Sequence, residues 1–251
     1  MRIEAIYRYP VKGLTAEAME TAEVAAGGAI PWDRAFALAQ GDAPFDPAAP
    51  AWLQKQNFMC LMRNARIAAL RSIFDPGRGM LTILAPSGTA IAENALTEDG
   101  RARIGAFLTD YLAEEARGTP RFHYIPGHVF GDQKQPVVSL MNLASLRDYE
   151  SRIGARRHRR RFRANVYFSG TAAWSEFDWV GRTIQLGGAT LRVTKRTVRC
   201  PATQVNPDTA ERDANPVLEL RDLYGHSDLG IHAEVVEGGR FAAGDAIELL
   251  P

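Results

Sequence analysis

The sequence predicts a mainly β protein with a few helices (α+β), and three observations lead to this prediction. Short segments of alternating polar and apolar residues recur along the chain, as in half-buried strands. Turns rich in glycine and proline separate these segments. Only residues 97–115 have the apolar spacing of a long amphipathic helix. We expect two domains, residues 1–118 and 119–251, with a barrel in the β-rich second half.

The composition is that of an ordinary globular protein. Of 251 residues, 46% are hydrophobic and 24% are charged, which excludes disorder as the dominant state. No window has the roughly 18 uninterrupted apolar residues of a membrane-spanning helix. The first ten residues lack the apolar core of a signal peptide, so we expect a cytoplasmic protein without a membrane partner.

The first half of the chain is predicted to be mostly β. In residues 2–11, Ile3, Ala5, Tyr7 and Tyr9 recur with the period of two that is typical of a strand. Residues 41–50 contain three prolines and should form an exposed loop. The turn signal at residues 75–77 indicates a hairpin. Further short strands are expected at residues 22–26, 36–40, 67–73 and 80–85.

The helix at residues 97–115 ends the first half. Thr97 and the acidic residues after it are typical of a capped N-terminus. Its apolar stripe consists of Ile104, Phe107, Leu108, Tyr111 and Leu112. In the second half, Asn142 should cap a helix that runs to Arg152, and a loop should span residues 126–136. Strands are expected at residues 121–125, 165–169, 183–186, 190–194, 233–236 and 246–250.

Cys200 is the candidate reactive thiol. It follows a predicted strand, and the neighbouring Arg196 and Arg199 favour the thiolate. A thiolate is a soft ligand for thiophilic metals. The alternative is a buried, inert cysteine, which is what Cys60 resembles among its apolar neighbours. Neither cysteine belongs to a CxxC motif or a Cys/His cluster, so the sequence gives little support for structural zinc.

Basic residues at strand ends form a second candidate feature. Lys12, Arg34 and Arg163 each lie next to a predicted strand, and together they could bind a phosphate. Residues 156–163 (RRHRRRFR) are the densest charged run, and we expect most of these arginines to form a solvated face. The alternative is a nucleic-acid-binding arm, which the net charge of +1 argues against.

Several motifs occur in an order that identifies a family. They are residues 9–13 (YPVKG), 32–36 (WDRAF), 162–166 (FRANV), 197–209 (TVRCPATQVNPDT), 223–225 (LYG), Gly230 and 244–245 (GD). This pattern resembles the MOSC proteins (molybdenum cofactor sulfurase C-terminal type) that also carry a MOSC N-terminal β-barrel domain. The amidoxime-reducing component and its bacterial relatives belong to that group. The resemblance implies an N-terminal β-barrel domain and a C-terminal MOSC β-barrel domain.

The resemblance also implies roles for individual residues. Cys200 would ligate the molybdenum of a molybdenum cofactor, and His232 is a candidate proton donor because its ordinary pKa is near neutrality. Binding of pyridoxal phosphate is a further property associated with the family. The residues implied to contact the cofactor are Lys12, Gly13, Arg34, Gln135, Pro136, Arg163, Asn165, Arg199 and His232.

Three positions depart from the family pattern. Gly13 stands where relatives often have serine, and His232 stands where some have an aromatic hydroxyl. Ala210 replaces the glycine that usually follows Asp-Thr, which puts the conformation of that turn in doubt. Residues 41–57 fit the family poorly, so the substrate entrance is expected to differ.

The activity implied is reduction of N-hydroxylated compounds (amidoximes, hydroxylamines and N-hydroxylated bases) to the N–H form. No ferredoxin-like segment follows Pro251, so we expect a separate electron-donor protein of the ferredoxin or flavoprotein type. A cofactor-delivery protein, or a sulfur carrier with a persulfide on Cys200, is the alternative.

Overall fold

The fold is mainly β with a few helices, which confirms the predicted class. The computed structural model describes all 251 residues, in fifteen β-strands and three α-helices. The strands are β1 (Arg2–Arg8), β2 (Glu17–Met19), β3 (Thr21–Val24), β4 (Phe36–Ala39), β5 (Arg71–Asp75), β6 (Met80–Leu84), β7 (Ala90–Asn94), β8 (Arg121–Tyr124), β9 (Val138–Asn142), β10 (Val166–Ser169), β11 (Thr183–Leu186), β12 (Ala189–Val198), β13 (Asp228–Glu237), β14 (Gly239–Ala242) and β15 (Ile247–Leu249). The helices are α1 (Glu98–Leu112), α2 (Leu143–Ile153) and α3 (Pro216–Tyr224).

One large sheet organises the second half of the chain. Its eight strands lie in the order β15-β11-β12-β13-β9-β10-β1-β2, and it curls into a half-barrel. All neighbouring strands are antiparallel except β9 and β10, which are parallel. Apolar side chains such as Leu140, Phe168 and Ile231 form a buried core of 21 residues against this sheet. Burial of this apolar surface is the main stabilising contribution to the sheet.

A second core of 19 buried residues lies in the first half. It is enclosed by the sheet β5-β6-β7, the pair β4-β8 and helix α1. The helix begins as predicted, because the Thr97 side chain accepts a hydrogen bond from the Gly100 N–H at 3.1 Å. Ile104 and Leu108 then lie fully buried on the predicted apolar stripe.

Strand pairing crosses the expected boundary at residue 118. Strands β1 and β2 belong to the large sheet, β3 pairs with β14, and β8 pairs with β4. The two halves are therefore interlocked through their backbones, and the boundary itself stays a prediction.

Three local predictions were wrong. A β-bulge between Ile3 and Ala5 shifts the register of β1, so Ile6 is buried instead of Ala5. A 3₁₀ helix occupies Ala65–Ala69, and the strand predicted there begins only at Arg71. Helix α3 was missed, although Pro216 opens it and Gly225 ends it. None of the α-helices has the length and apolar character needed to cross a membrane.

Candidate functional site

A cavity of about 630 Å³ lies where the two halves of the chain meet. Side chains from the first half, such as Lys12 and Lys55, face side chains from the second half across it. Every residue predicted to contact a cofactor or metal lines this cavity. These residues are Lys12, Gly13, Arg34, Gln135, Pro136, Arg163, Asn165, Arg199, Cys200 and His232.

Sheet topology explains why these distant residues converge. Strands β12, β13, β9, β10 and β1 are consecutive neighbours in the large sheet. Cys200 follows β12, His232 lies in β13, Pro136 precedes β9, Arg163 precedes β10 and Lys12 follows β1. Residues as far apart in sequence as Lys12 and His232, 220 positions, thus line the same side of the cavity.

Two arginines that line the cavity, Arg34 and Arg163, flank the ring of one tyrosine, Tyr9. The guanidinium carbons of Arg34 and Arg163 lie 4.4 and 4.2 Å from the centre of the Tyr9 ring, within cation–π range. Arg34 donates to the Asp33 carboxylate and, at 3.0 Å, to the Arg163 carbonyl. Arg163 donates to the Leu14 carbonyl at 2.7 Å. Both guanidinium groups are therefore held in place before any ligand binds.

Backbone strain accompanies this arrangement. Arg34 and Arg163 both have φ of +51°, in the left-handed region of backbone conformation that residues other than glycine rarely adopt. Strain of this kind costs about 1–3 kcal/mol per residue and clusters at functional sites. Of the six residues other than glycine with positive φ, Arg34 and Arg163 are the two that line the cavity.

The charge around Arg163 is only partly compensated. Burial, together with repulsion from Arg34, lowers the pKa of Arg163 to about 10. It stays cationic at neutral pH and has no carboxylate partner of its own. In total seven basic side chains line the cavity against two carboxylates, Asp33 and Asp132. This surplus of positive charge favours an anionic ligand.

Cys200 stands beside these cations. It is half-buried and free, and it lies two residues after the end of β12. The buried Arg199 before it donates to the Phe162 carbonyl at 2.8 Å and to the Leu229 carbonyl. Burial lowers the pKa of Arg199 to about 10. The second cysteine, Cys60, also lines the cavity, but burial raises the pKa of its thiol, so it stays protonated at neutral pH.

The protonation state of His232 bears on its predicted role as a proton donor, which stays a prediction. Burial, with Arg199 and Lys195 nearby, lowers the pKa of His232 to about 3. Its imidazole is therefore neutral at physiological pH, and its buried Nδ1 has no hydrogen-bond partner. A neutral imidazole can contact a ligand, but it does not supply the imidazolium proton that its ordinary pKa suggested.

Asn165 connects three strands rather than facing the cavity with free polar atoms. Its Oδ1 accepts hydrogen bonds from the Ser139 N–H at 3.1 Å and the Ser139 hydroxyl at 2.8 Å. Its Nδ2 donates to the Tyr7 carbonyl at 3.1 Å. The residue thus ties β10 to β9 and β1 and orients the strand ends that hold Arg163 and Lys12.

We expect Asn165→Ala to lower the free energy of unfolding by about 3 kcal/mol, because buried groups lose three hydrogen bonds. Chemical denaturation measures this change. Replacing the exposed Gln56, which bonds Gln54 at the surface, should cost less than about 0.5 kcal/mol. Equal effects of the two substitutions would show that Asn165 does not organise the sheet.

The sequence did not reveal a chain of charged contacts near Cys200. The Lys12 ammonium, only 6% exposed, donates to the Phe130 carbonyl at 2.9 Å and to Asp132 at 2.5 Å. Lys55 lies 3.4 Å from the other Asp132 oxygen. Burial alone would lower the pKa of Lys55. The Asp132 carboxylate and the Cys200 sulfur have the larger effect, so the pKa of Lys55 is raised.

Asp132 is the anion that joins both lysines. Burial alone would raise the pKa of Asp132, but Lys12 and Lys55 hold it well below its usual range. Asp132 lies in the loop at residues 126–136, and Lys55 lies in the segment at residues 41–57. These contacts depend on how two loops pack, which local sequence patterns do not encode.

The departures from the family pattern have local explanations. Gly13 has φ of +89°, and an added Cβ would approach the Ile67 side chain to 2.8 Å, so serine here would be strained. Ala210 adopts φ of +62°, the conformation that glycine favours, so the turn is kept at some cost in strain.

The arginine run at residues 156–163 does not form the solvated face that the sequence predicts. Arg157 pairs with Glu219 at 2.7 Å and Arg160 with Asp208 at 3.1 Å. Arg161 is buried and pairs with Asp213. Carboxylates from other parts of the chain thus neutralise much of the run, which weakens the case for a nucleic-acid-binding arm.

Unpartnered polar atoms show whether the cavity fits a polar cofactor. Six buried side-chain N or O atoms lack hydrogen-bond partners, and five belong to residues that line this cavity: Trp52, Arg161, Thr197, Arg199 and His232. Leaving such groups unpaired costs about 1–3 kcal/mol each, which a polar ligand can offset. No group of three or more His, Cys, Asp or Glu side chains could hold a metal ion. The basic side chains and the free sulfur of Cys200 therefore fit an anionic cofactor whose metal would take a single protein ligand.

Comparison with known proteins identifies two domain families. Residues 1–114 match the model of the MOSC N-terminal beta barrel domain, and residues 126–248 match that of the MOSC domain. Over 85 residues the chain is 32% identical to mitochondrial amidoxime-reducing component 1 of Mus musculus. This alignment covers 34% of the chain and 24% of that protein, so the match spans about a quarter of the curated relative.

Two solved structures are also similar. The YuaD protein from Bacillus subtilis aligns with a TM-score of 0.46 and 17% identity, covering 99% of this chain and 94% of that one. YiiM from Geobacillus stearothermophilus aligns with a TM-score of 0.34 and 18% identity, covering 45% and 54%.

Proposed function

Because the chain belongs to the family of proteins that join a MOSC N-terminal beta barrel domain to a MOSC domain, we propose that it is a molybdenum-cofactor-dependent oxidoreductase. Its substrates in this proposal are N-hydroxylated compounds: amidoximes, hydroxylamines and N-hydroxylated bases. The similarity to an amidoxime-reducing component supports this choice of reaction.

One observation carries the proposal. The half-buried Cys200 lies in a cavity whose seven basic side chains far outnumber its carboxylates. A soft thiolate suits molybdenum, and clustered guanidinium and ammonium groups suit the phosphate of a pterin cofactor. Neither feature alone would distinguish this cavity from an ordinary anion site.

Different residues of the cavity would bind different parts of the cofactor. Cys200 would hold the metal, and Arg34 and Arg163, already fixed on Tyr9, would bind phosphate oxygens with little further ordering. Lys12 would share its ammonium between the phosphate and Asp132. Gln135 and Pro136, in the loop before β9, would cover the cofactor, and the neutral His232 would contact it as a hydrogen-bonding group.

The cofactor supplies the redox chemistry, and the protein supplies ligation and orientation. Two electrons and two protons convert an N–OH group to N–H and release its oxygen as water. The electrons come from a separate donor protein in this proposal. Pyridoxal phosphate binding and a cytoplasmic location stay predictions of the resemblance and the sequence.

A sulfur-carrier function is the second candidate. Lys55 and Cys200 line the same cavity, and a nearby ammonium would stabilise the anion of a persulfide as well as a metal-bound thiolate. This arrangement does not by itself distinguish transfer of sulfur from reduction at a metal.

Two assays on the purified protein distinguish the candidates. With reduced methyl viologen as electron donor, we expect protein made in cells that synthesise the cofactor to convert benzamidoxime to benzamidine. Treatment of metal-free protein with cyanide should release no thiocyanate. Thiocyanate release without benzamidoxime reduction would favour the sulfur carrier and contradict the reductase.

A further inference from the structure

We propose that the outer part of the cavity is a subsite for a carboxylate, formed by Lys55 and Lys134, that selects N-hydroxylated substrates bearing a negative charge. This inference rests on the proposed function, because it names the substrate class of that same site. The subsite is formed by residues 41–57 and 126–136. Neither segment contains Arg34 or Arg163, the arginines proposed to bind the phosphate.

The two lysines come from the two loops that form the cavity wall near Cys200. Lys55 and Trp52 belong to residues 41–57, and Lys134 belongs to residues 126–136; all three line the cavity. The Lys134 ammonium lies 5.9 Å from the centre of the Trp52 ring, within cation–π range. Lys55 lies 3.4 Å from Asp132, which belongs to the opposite loop, residues 126–136. The loops are therefore linked at two points around the entrance.

The balance of charge leaves Lys134 without a carboxylate partner, and Lys55 shares its single partner, Asp132, with Lys12. Asp132 is the one carboxylate near them, and its shorter contact, at 2.5 Å, is with Lys12. Lys134 has no carboxylate within 4 Å and is exposed to solvent. An incoming carboxylate would therefore meet two ammonium groups and only one, already paired, negative charge.

The position of Lys55 relates this charge to the reaction. Lys55 lines the same cavity as Cys200, the proposed metal ligand, and the sulfur is near enough to contribute to the raised pKa of the Lys55 ammonium. A substrate held by Lys55 and Lys134 would thus place its N–OH group beside the metal. The Trp52 ring adds an apolar surface at the same entrance, which suits a planar aromatic or heteroaromatic substrate.

Binding of two matched ligands tests the subsite. We expect 4-carboxybenzamidoxime to bind the holoenzyme, in the absence of an electron donor, about fivefold to tenfold more tightly than benzamidoxime, as measured by calorimetry. The preference should shrink as salt is added, because exposed charges are screened. The cationic 4-(aminomethyl)benzamidoxime should bind more weakly than benzamidoxime.

Variants assign the preference to these lysines. Lys134→Gln should weaken binding of the carboxylated ligand about fivefold and leave benzamidoxime binding unchanged. Lys195→Gln is the matched control, since Lys195 is exposed on β12 and does not line the cavity. It should change neither affinity.

The possible failures are distinguishable. Equal affinities for the three ligands, or equal effects of Lys134→Gln and Lys195→Gln, would overturn the subsite and leave the proposed reaction standing. A protein without molybdenum that still prefers the carboxylated ligand in a Lys134-dependent way would contradict the reaction and support the subsite.

Discussion

Replacing Cys200 by alanine is expected to reduce turnover of benzamidoxime by more than about 100-fold. Loss of groups that only support a metal ligand costs 10–100-fold, so loss of the proposed ligand itself should cost more. The variant should fold normally, because Cys200 is only half-buried and its side chain makes no contact in the cores.

Cys60 provides the matched control for this experiment. It is the second cysteine of the cavity lining, but burial raises the pKa of its thiol. Cys60→Ala should therefore retain turnover, with a modest loss of stability from the removed sulfur. Turnover that survives in Cys200→Ala and disappears in Cys60→Ala would reverse the roles given to the two thiols.

Replacing Arg163 by methionine should separate ligand binding from stability. The side chain stacks on Tyr9 and makes one hydrogen bond, to Leu14, yet it has no carboxylate partner. Burial and the repulsion of Arg34 lower the pKa of Arg163, so its charge is unfavourable in the protein alone. We expect the free energy of unfolding to fall by no more than about 1 kcal/mol.

The same variant should bind pyrophosphate, a probe for the cofactor phosphate, about tenfold to a hundredfold more weakly. A hydrogen bond to a charged group contributes about 1.5–3 kcal/mol, which corresponds to that range. Thermal unfolding with and without pyrophosphate measures the loss of stabilisation by the ligand. Arg66→Met is the control, because Arg66 also stacks on a tyrosine, Tyr111, outside the cavity. Unchanged pyrophosphate binding in Arg163→Met would exclude Arg163 from the anion site.

Local patterns were sufficient for the elements that short-range physics determines. Helix α1 could be predicted because Thr97 caps it and its apolar residues share one face. Helix α3 carried comparable signals, an Asn215 cap before Pro216 and a final Gly225, but it has only 9 residues against the 15 of α1, so its apolar period is short. The bulge in β1 could not be anticipated, since it depends on pairing with β10, more than 150 residues away.

The same distinction holds in the site. Lys12, Arg163 and Cys200 could be singled out because each stands next to a strand or in a family motif. Lys55 and Asp132 could not be singled out from the sequence, since the contacts of Asp132 with Lys12 and Lys55 arise from the packing of two irregular loops. The neutral state of His232 follows from burial next to Arg199, a tertiary effect that residue type does not indicate.

The molybdenum content of the purified protein tests the central claim most directly. Measured by mass spectrometry on protein from cells that make the cofactor, it should approach about one atom per chain, the number that a single Cys200 ligand allows. Cys200→Ala prepared in the same way should contain almost none. A wild-type protein without molybdenum, or a Cys200→Ala variant that retains it fully, would contradict the claim that this cavity holds the cofactor through Cys200.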